Sequence, residues 1–241
     1  MLDGGIGSTS QYQNFDSLEK TGASTWTIAG SGDFAGPTSV NEGTLIVNGS
    51  LAGSAVTVAS GARLGGSGTV GAVTVASGGR ITPGNSIGTL TVNGAYLQNA
   101  GAAYEVELDP GTVTSDRIQV NGAATLAPGA GLSVVNYTGT AYTAGQRYTI
   151  LTSTGLTGDY GADIVIGPIL SLRNSTDATN AYLTVVQTGT AGGIGGTGNE
   201  QEVGKAVGRL PTGNAVQSGV YSQASIHGAP RALDPVSGEI H

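Results

Sequence analysis

The sequence predicts an all-β protein built as a parallel β-helix, a solenoid of stacked coils. Glycine supplies 43 of the 241 residues, about 18%, whereas charged residues reach only 10%. Short alternating segments that end in glycine recur along the chain. Because glycine costs roughly 0.5 to 1 kcal/mol inside a helix or strand, so much of it indicates short strands separated by many turns.

Two heptapeptides carry most of the repeat signal. GTLIVNG at 43–49 returns as GTLTVNG at 88–94, which is 45 residues later, and AVTVASG occurs at 55–61 and again at 72–78. Their apolar residues alternate with small polar ones, the period of a half-buried strand. Because 45 residues are about twice the 20 to 25 of one solenoid coil, the spacing favours stacked coils.

An antiparallel sandwich is the alternative architecture. Asn48-Gly49 and Asn93-Gly94 each follow an alternating segment, and Asn-Gly between two such segments is a strong hairpin signal. The repeats, however, recur in one order without a matching return strand. We therefore favour the parallel β-helix.

Three segments are expected along the chain. Residues 1–94 carry the repeats and are predicted to form β-helix coils. Residues 95–188 hold longer strands and most of the tyrosines, and they are predicted to form a β cap. Within this cap, YEVEL at 104–108 alternates strictly, with Tyr104, Val106 and Leu108 on one face.

Residues 189–241 are predicted to be a glycine-rich linker followed by short helices. Asn199 and Glu202 have the spacing of a capping box, and Pro211 ends the helix that would follow. Gly204 and Gly208 weaken this helix by about 1 kcal/mol each relative to alanine. The third segment is therefore only weakly helical.

Composition excludes several classes of function. The net charge is -7, and nine basic residues scattered along the chain form no basic stripe, so no nucleic-acid partner is expected. The absence of cysteine removes disulfides, zinc–thiolate sites and cysteine nucleophiles. No apolar run has the length of a transmembrane helix. The first residues lack the features of a signal peptide, so we expect the sequence to begin inside a longer protein.

Ser86 lies in the one motif that suggests a nucleophile. Residues 84–88 read GNSIG and match the G-x-S-x-G elbow, which requires a strand before the serine and a helix after it. A strand is predicted to follow instead, and the histidines, His227 and His241, lie in the weakly helical tail. A solenoid corner is the favoured interpretation.

The other motifs also favour structural interpretations. G-x-G-x-x-G occurs at 66–71, before a strand, and at 193–198, within the linker, so neither has the strand–turn–helix setting of a phosphate loop. Glu105, Glu107 and Asp109 share one strand face and could bind calcium or form an acid–base pair. A solvated face that discourages edge pairing is the favoured interpretation. We predict no catalytic, metal-binding or cofactor-binding residue.

Four segments, taken together, carry a resemblance to a known family. They are LEKTG with TWTI at 18–28, ITPGNSIGTL at 81–90, SDRIQVNGAATL at 115–126, and ALDPVSGEIH at 232–241. In this order they resemble the C-terminal part of pertactin-like passenger domains of bacterial type V autotransporters, together with their junction, or autochaperone, region.

The resemblance implies a right-handed parallel β-helix that is exported through the periplasm and the outer membrane to the cell surface. It implies a non-enzymatic stem that acts as a folding template. The implied partners are the protein's own C-terminal translocator barrel, the outer-membrane assembly machinery and host surface molecules. Two alternatives remain: a surface adhesin that binds host matrix or glycan, and the stalk of an esterase or polysaccharide-degrading passenger.

Overall fold

The structure, a computed structural model, is a parallel β-helix, which confirms the predicted fold class. It describes residues 16–31, 34–167, 169–189, 198–210, 214–217 and 219–220. The described residues form three long sheets, and each of the five coils between residues 38 and 154 contributes at least one strand to each sheet, whereas the first coil contributes strands to two of them.

The sheets are named here in the order in which the chain enters them. The first sheet contains, in spatial order, β1 (Leu18–Lys20), β3 (Thr38–Val40), β6 (Val56–Val58), β9 (Val73–Val75), β12 (Tyr96–Gln98), β16 (Ala123–Leu126) and β19 (Gly155–Thr157). The second contains β2 (Thr25–Ile28), β4 (Thr44–Val47), β7 (Arg63–Gly66), β10 (Arg80–Pro83), β13 (Ala103–Asp109) and β17 (Gly131–Asn136), with the short β14 (Thr114–Ser115) paired to β13. The third contains β5 (Ser50–Leu51), β8 (Thr69–Val70), β11 (Thr89–Val92), β15 (Arg117–Val120), β18 (Arg147–Thr152), β22 (Asn180–Gln187), β21 (Leu170–Thr176) and β20 (Ile164–Val165).

The coils become longer toward the C-terminal end. Successive strands of the first sheet begin at residues 18, 38, 56, 73, 96, 123 and 155, so the shortest coil has 17 residues and the last has 32. The last coils are also joined by antiparallel strands, because β22 pairs antiparallel with both β18 and β21. One end of the solenoid therefore differs in construction from the other.

The two heptapeptide repeats have different structural meanings. Both copies of AVTVASG form strands of the first sheet in adjacent coils, with Val56 opposite Val73. GTLIVNG forms β4 in the second sheet, whereas GTLTVNG forms β11 in the third. The interpretation of the 45-residue spacing as two coils was therefore wrong, because the coils differ in length and both sheets accept the same alternating pattern.

The core is a column of inward-facing side chains. Tyr104, Val106 and Leu108 are fully buried on β13, while Glu105 and Glu107 face outward, as predicted. The parallel pairing continues across residue 94, since β9 pairs with β12 and β10 with β13. The division of the chain into coils and cap at this residue stays a prediction.

The described part of the tail contains a helix, α1 (Gly198–Gly208). It begins one residue before the predicted cap, Asn199, and ends before the predicted stop at Pro211. The side chain of Asn199 lies outside what the structure describes, so the predicted capping box stays a prediction. Among the described residues, no helix is both long enough and apolar enough to cross a bilayer.

Candidate functional site

A groove on the outer face of the second sheet brings several ionisable residues together beside the GNSIG motif at 84–88. Its volume is about 340 Å³. It is lined by side chains and backbone from five successive coils: Ile46, Arg63, Thr82, Pro83, Gly84, Ser86, Glu105, Glu107, Asp116 and Val135. Coil stacking brings these residues together although they lie up to 89 positions apart.

Glu105 is held between two arginines of the preceding coils. Arg63 Nη1 lies 2.6 Å from Glu105 Oε2, and Arg80 Nη1 donates to Glu105 Oε1. The parallel register places Arg63 directly beside Arg80, so the carboxylate separates two like charges. With side-chain exposures of 38% and 49% for the arginines, these pairs contribute modestly to stability.

The expectation that this acidic face discourages edge pairing was wrong. β13 is an interior strand, paired with β10 on one edge and with β17 on the other. Asp109, at its end, accepts hydrogen bonds from Gly111 N at 2.8 Å and from the hydroxyls of Thr112 and Thr138 at 2.7 and 3.0 Å. The Thr112 hydroxyl, above all, lowers the pKa of this exposed carboxyl.

Asp116 is a buried acidic residue of the groove: the residue is 1% exposed, and its carboxylate accepts two backbone hydrogen bonds. Gly88 N donates to Oδ1 at 2.8 Å, and Glu107 N donates to Oδ2 at 3.0 Å. Burial raises the pKa of Asp116 to about 6, while the two N–H donors oppose this rise. We call this arrangement the Asp116 clamp, since it joins the corner before β11 to the middle of β13.

Ser86 lies in that corner, between β10 and β11. Its φ is +70°, and Gly84 has a φ of +89°. An added Cβ at Gly84 would lie 2.7 Å from Asp116 Oδ1, so glycine is required for the clamp to close. A strand follows Ser86, as predicted, rather than the helix of a nucleophile elbow. His227 and His241 lie outside the described residues.

The glycine motif at 66–71 also forms a solenoid corner. Gly66 has a φ of +104°, and an added Cβ would lie 2.2 Å from Val47 O of the preceding coil. The strand β9 follows, so no helix N-terminus faces these backbone amides. The second motif, at 193–198, lies outside the described residues except for the backbone of Gly198.

A second buried charge lies near the N-terminal end of the solenoid. Lys20 Nζ donates to Thr21 O, Gly22 O and Glu42 O at 2.9, 2.6 and 3.0 Å, which uses all three of its N–H donors. Its ammonium also lies 5.4 Å from the centroid of the Trp26 ring. We call these groups the Lys20 cradle. Burial lowers the pKa of Lys20, and the Glu42 carboxylate acts in the opposite direction.

The polar side chains of the groove can bind a ligand or hold neighbouring groups in place. Two of its carboxylates already have partners, Asp116 with backbone amides and Glu105 with arginines. Among the described residues, no group of three or more His, Cys, Asp or Glu side chains is arranged to hold a metal ion. Ser86 has no histidine partner within the described part of the chain.

Sequence reasoning assigned no role to Asp116 or Lys20, although both lie in segments that carried the family resemblance. The available signal was their chemistry: each is an ionisable residue beside an apolar alternating strand in a chain with few charges. One partner of each lies in a neighbouring coil, 22 residues away for Lys20 and 28 for Asp116. No local pattern contains such distances.

Comparisons with known proteins bear on the N-terminal coils. No curated protein matches the chain. Residues 18–47 match the family model of the passenger-associated-transport-repeat. The matched segment runs from β1 to the end of β4 and includes the Lys20 cradle. It therefore supports an autotransporter passenger repeat in this part of the chain, in a family associated with export to a secreted or surface location.

Proposed function

We propose that the chain is the C-terminal stem of a secreted, pertactin-like autotransporter passenger, and that its C-terminal coils act as an autochaperone, a folding template. The observation that carries the proposal is the asymmetry of the solenoid. At the C-terminal end the third sheet is extended by antiparallel strands and the edge of the first sheet is covered by a loop, whereas the strands of the first coil have open outer edges within the described residues.

The covered end is built from antiparallel strands and large side chains. The third sheet ends in the β18–β22–β21–β20 arrangement. The edge of the first sheet is covered by a loop, since Leu156 N donates to Ala178 O and Ser153 N to Thr179 O, both at 2.7 Å. Buried large side chains of this end are Tyr148, Ile150, Leu151, Leu170, Leu172 and Leu183. This end can bury apolar surface without a further coil.

The N-terminal coils depend on their neighbours. Each contributes a few aliphatic side chains to the core, worth about 1.5 to 3 kcal/mol each when fully buried. A coil of 17 to 20 residues must offset roughly 1 to 2 kcal/mol of backbone entropy per residue, so it folds only against an existing edge. A stable C-terminal end supplies that edge, and folding then proceeds toward the N-terminus.

This direction of folding suits export across the outer membrane, where no ATP is present. If the C-terminal coils fold first outside the cell, each further coil that adds to them opposes backsliding of the chain. The proposed partners are the chain's own translocator barrel and the outer-membrane assembly machinery. We propose no catalytic role for this stem, because Ser86 lies in a solenoid corner before a strand.

The proposal is tested by placing one charge in each end of the core. Leu108→Asp disrupts β13 near the covered end, and Val47→Asp is its matched control in β4, since both residues have 0% exposure. We expect Leu108→Asp to abolish refolding of the whole chain from urea. Val47→Asp should leave β13 to β22 protected against amide hydrogen exchange. Fluorescence of Trp26, which lies in the first coil, reports the N-terminal end.

Secretion provides the second readout. In the full open reading frame, expressed in a Gram-negative host, Leu108→Asp should reduce the amount of folded, protease-resistant passenger at the surface far more than Val47→Asp does. Equal loss with both variants, or N-terminal protection that survives Leu108→Asp, would contradict a C-terminal template.

A binding function is the second candidate, and the groove is the observation that favours it. The groove has the volume of a small-ligand site, and Arg63 and Glu107 provide polar groups beside the apolar Ile46 and Val135. If the stem acts as an adhesin, Val135→Arg should abolish binding of the chain to host matrix proteins or glycans on a surface. Unchanged binding would exclude the groove as the adhesive site.

A further inference from the structure

The two nearly identical heptapeptides present a folding problem. GTLIVNG and GTLTVNG differ only at Ile46 and Thr91, yet the first enters the second sheet and the second enters the third. Both bury the same positions, since Leu45, Val47, Leu90 and Val92 all have 0% exposure. Hydrophobic alternation therefore cannot decide which sheet each copy joins.

The first copy is distinguished by the Lys20 cradle. Lys20 comes from the preceding coil and donates to the carbonyl of Glu42, immediately before the first glycine of the copy. That glycine, Gly43, has a φ of +64°, and an added Cβ would lie 2.8 Å from Lys20 Nζ. A buried cation thus contacts an acceptor at the start of this copy.

The second copy is distinguished by the Asp116 clamp. Asp116 comes from the following coil and accepts a hydrogen bond from Gly88 N, the first residue of the copy. A buried anion thus contacts a donor at the start of this copy. The two copies therefore meet opposite charges at equivalent positions, and each charge contacts the backbone group that it can bind.

We propose that Lys20 and Asp116 are register-setting residues, which assign the two copies to different sheets by binding the peptide group that leads into the first glycine of each, Lys20 at the Glu42 carbonyl and Asp116 at the Gly88 N–H. The physical reason is the cost of misplacement. A copy in the wrong sheet deprives the buried ammonium or carboxylate of one of its backbone partners, and the loss of a partner from a buried charge is destabilising. A polar group buried at one position is also the established means of fixing register in coiled coils.

A solenoid whose strands share one alternating pattern must choose one register whether or not it serves secretion. This role of the two charges is therefore independent of the proposed function. The absence of native cysteine makes it testable by disulfide formation. Thr91→Cys with Gln119→Cys reports the native placement of the second copy, because these residues are partners in the third sheet. Thr89→Cys with Ala103→Cys reports its misplacement, because the two residues lie in different sheets in the native fold.

The experiment compares these reporters in the full chain after refolding and oxidation. In the wild-type background we expect the native disulfide and a trace of the misplaced one. Asp116→Asn should raise the yield of the misplaced disulfide by about tenfold and lower the yield of the native one. This is expected when a buried charge no longer distinguishes the native placement of the copy from the wrong one. Asp116→Glu, which keeps the charge, should restore part of the native yield.

Lys20→Met provides an independent arm at the first copy. The native reporter there is Thr27→Cys with Ile46→Cys, which are partners in the second sheet. The misplaced reporter is Ile46→Cys with Thr69→Cys, which would pair if the copy entered the third sheet. The same exchange of yield is expected.

Thr38→Val is the matched control. It removes another buried hydrogen bond, the one between the Thr38 and Ser54 hydroxyls at 2.7 Å, but it does not touch either heptapeptide. It should lower stability without changing which disulfides form. If Asp116→Asn and Lys20→Met also leave the pattern unchanged, or form neither disulfide, the two charges contribute general stability and the proposal is overturned.

Discussion

Glycine at a solenoid corner serves close approach as well as backbone conformation, and Gly66 shows both requirements. Its φ is +104°, and a Cβ would lie 2.2 Å from Val47 O. Gly61 has a comparable φ of +78° but nothing within 4 Å of the same added atom. The two positions therefore separate the cost of conformation from the cost of contact between coils.

Substitution of these glycines by alanine tests that separation. Gly61→Ala should cost about 1 to 2 kcal/mol, the cost of a left-handed conformation. Gly66→Ala should cost about 1 to 3 kcal/mol more, because the coils must move apart to admit the methyl group. Urea unfolding followed by circular dichroism measures both. Equal losses would show that the backbone conformation alone requires glycine at Gly66.

Two buried tyrosines offer a second matched comparison. The rings of Tyr104 and Tyr160 lie 6.2 Å apart, and burial raises the pKa of both hydroxyls well above the ordinary value. Tyr104 donates to Ile150 O at 2.9 Å, whereas the hydroxyl of Tyr160 has no partner among the described residues.

Removing each hydroxyl should therefore have different effects. Tyr104→Phe should lower the free energy of unfolding by about 1 to 3 kcal/mol, because it leaves a carbonyl without its donor. Tyr160→Phe should leave stability unchanged or raise it slightly, since it removes a buried hydroxyl that makes no hydrogen bond among the described residues. Thermal unfolding of the two variants provides the measurement. A loss with Tyr160→Phe would reveal a partner for its hydroxyl.

Individual residues differ in how far the sequence could predict them. The alternation of YEVEL predicted correctly that Tyr104, Val106 and Leu108 face the core, because side-chain direction in a strand is local. The pairing of Glu105 with Arg63 and Arg80 was missed. It depends on how many residues each coil contains, and no single segment encodes that number.

At the scale of elements, the Asp116 clamp connects the corner before β11 to β13. The folded state raises the pKa of the Asp116 carboxyl from 3.8 to about 6, so the native protein binds this proton more tightly than the unfolded chain does. The group therefore contributes its full stability below the unfolded pKa. That contribution is lost as the pH rises through about 6.

This sign gives a prediction for the difference between the wild type and Asp116→Asn. As the pH rises from about 4 to about 7, the free energy of unfolding of the wild type should fall relative to the variant by up to ~3 kcal/mol. Urea unfolding at intermediate pH values measures it. Asp109→Asn is the control: because the pKa of Asp109 is lowered from 3.8, its contribution to stability changes only below that value, and its difference from the wild type should stay flat between about pH 4 and about 7. A flat difference for Asp116 would show that the folded state leaves its pKa unchanged.

Elements were predicted better than their placement. Alternation and glycine located the short strands, and the Asn-Gly corners were correctly assigned to a solenoid rather than to hairpins. The sheet to which β4 and β11 belong could not be predicted, because both have the same alternating pattern. Placement depends on contacts between coils, of which the Lys20 cradle and the Asp116 clamp are two.

The whole molecule has one end of long coils and covered sheets and another of short coils. Because a solenoid is stabilised by contacts between neighbouring coils, the free energy of unfolding differs from one coil to another along its axis. The coil that begins at residue 123 has 32 residues, against 17 for the coil that begins at residue 56. Its core also includes the buried tyrosines Tyr142 and Tyr148, whereas the described core of the shorter coil contains aliphatic side chains only.

Native-state hydrogen exchange should therefore show a gradient along the axis. Amides of β13, β18 and β22 should exchange only through global unfolding, whereas those of β1 to β3 should open at lower free energy, because within the described residues the first coil has a neighbour on one side only. Added urea should narrow this difference, because global unfolding exposes more surface than opening of the first coils and therefore has the larger m-value. Uniform protection would mean that the solenoid unfolds as one cooperative unit. Slower exchange at β1 than at β18 would reverse the direction of folding and place the template at the opposite end.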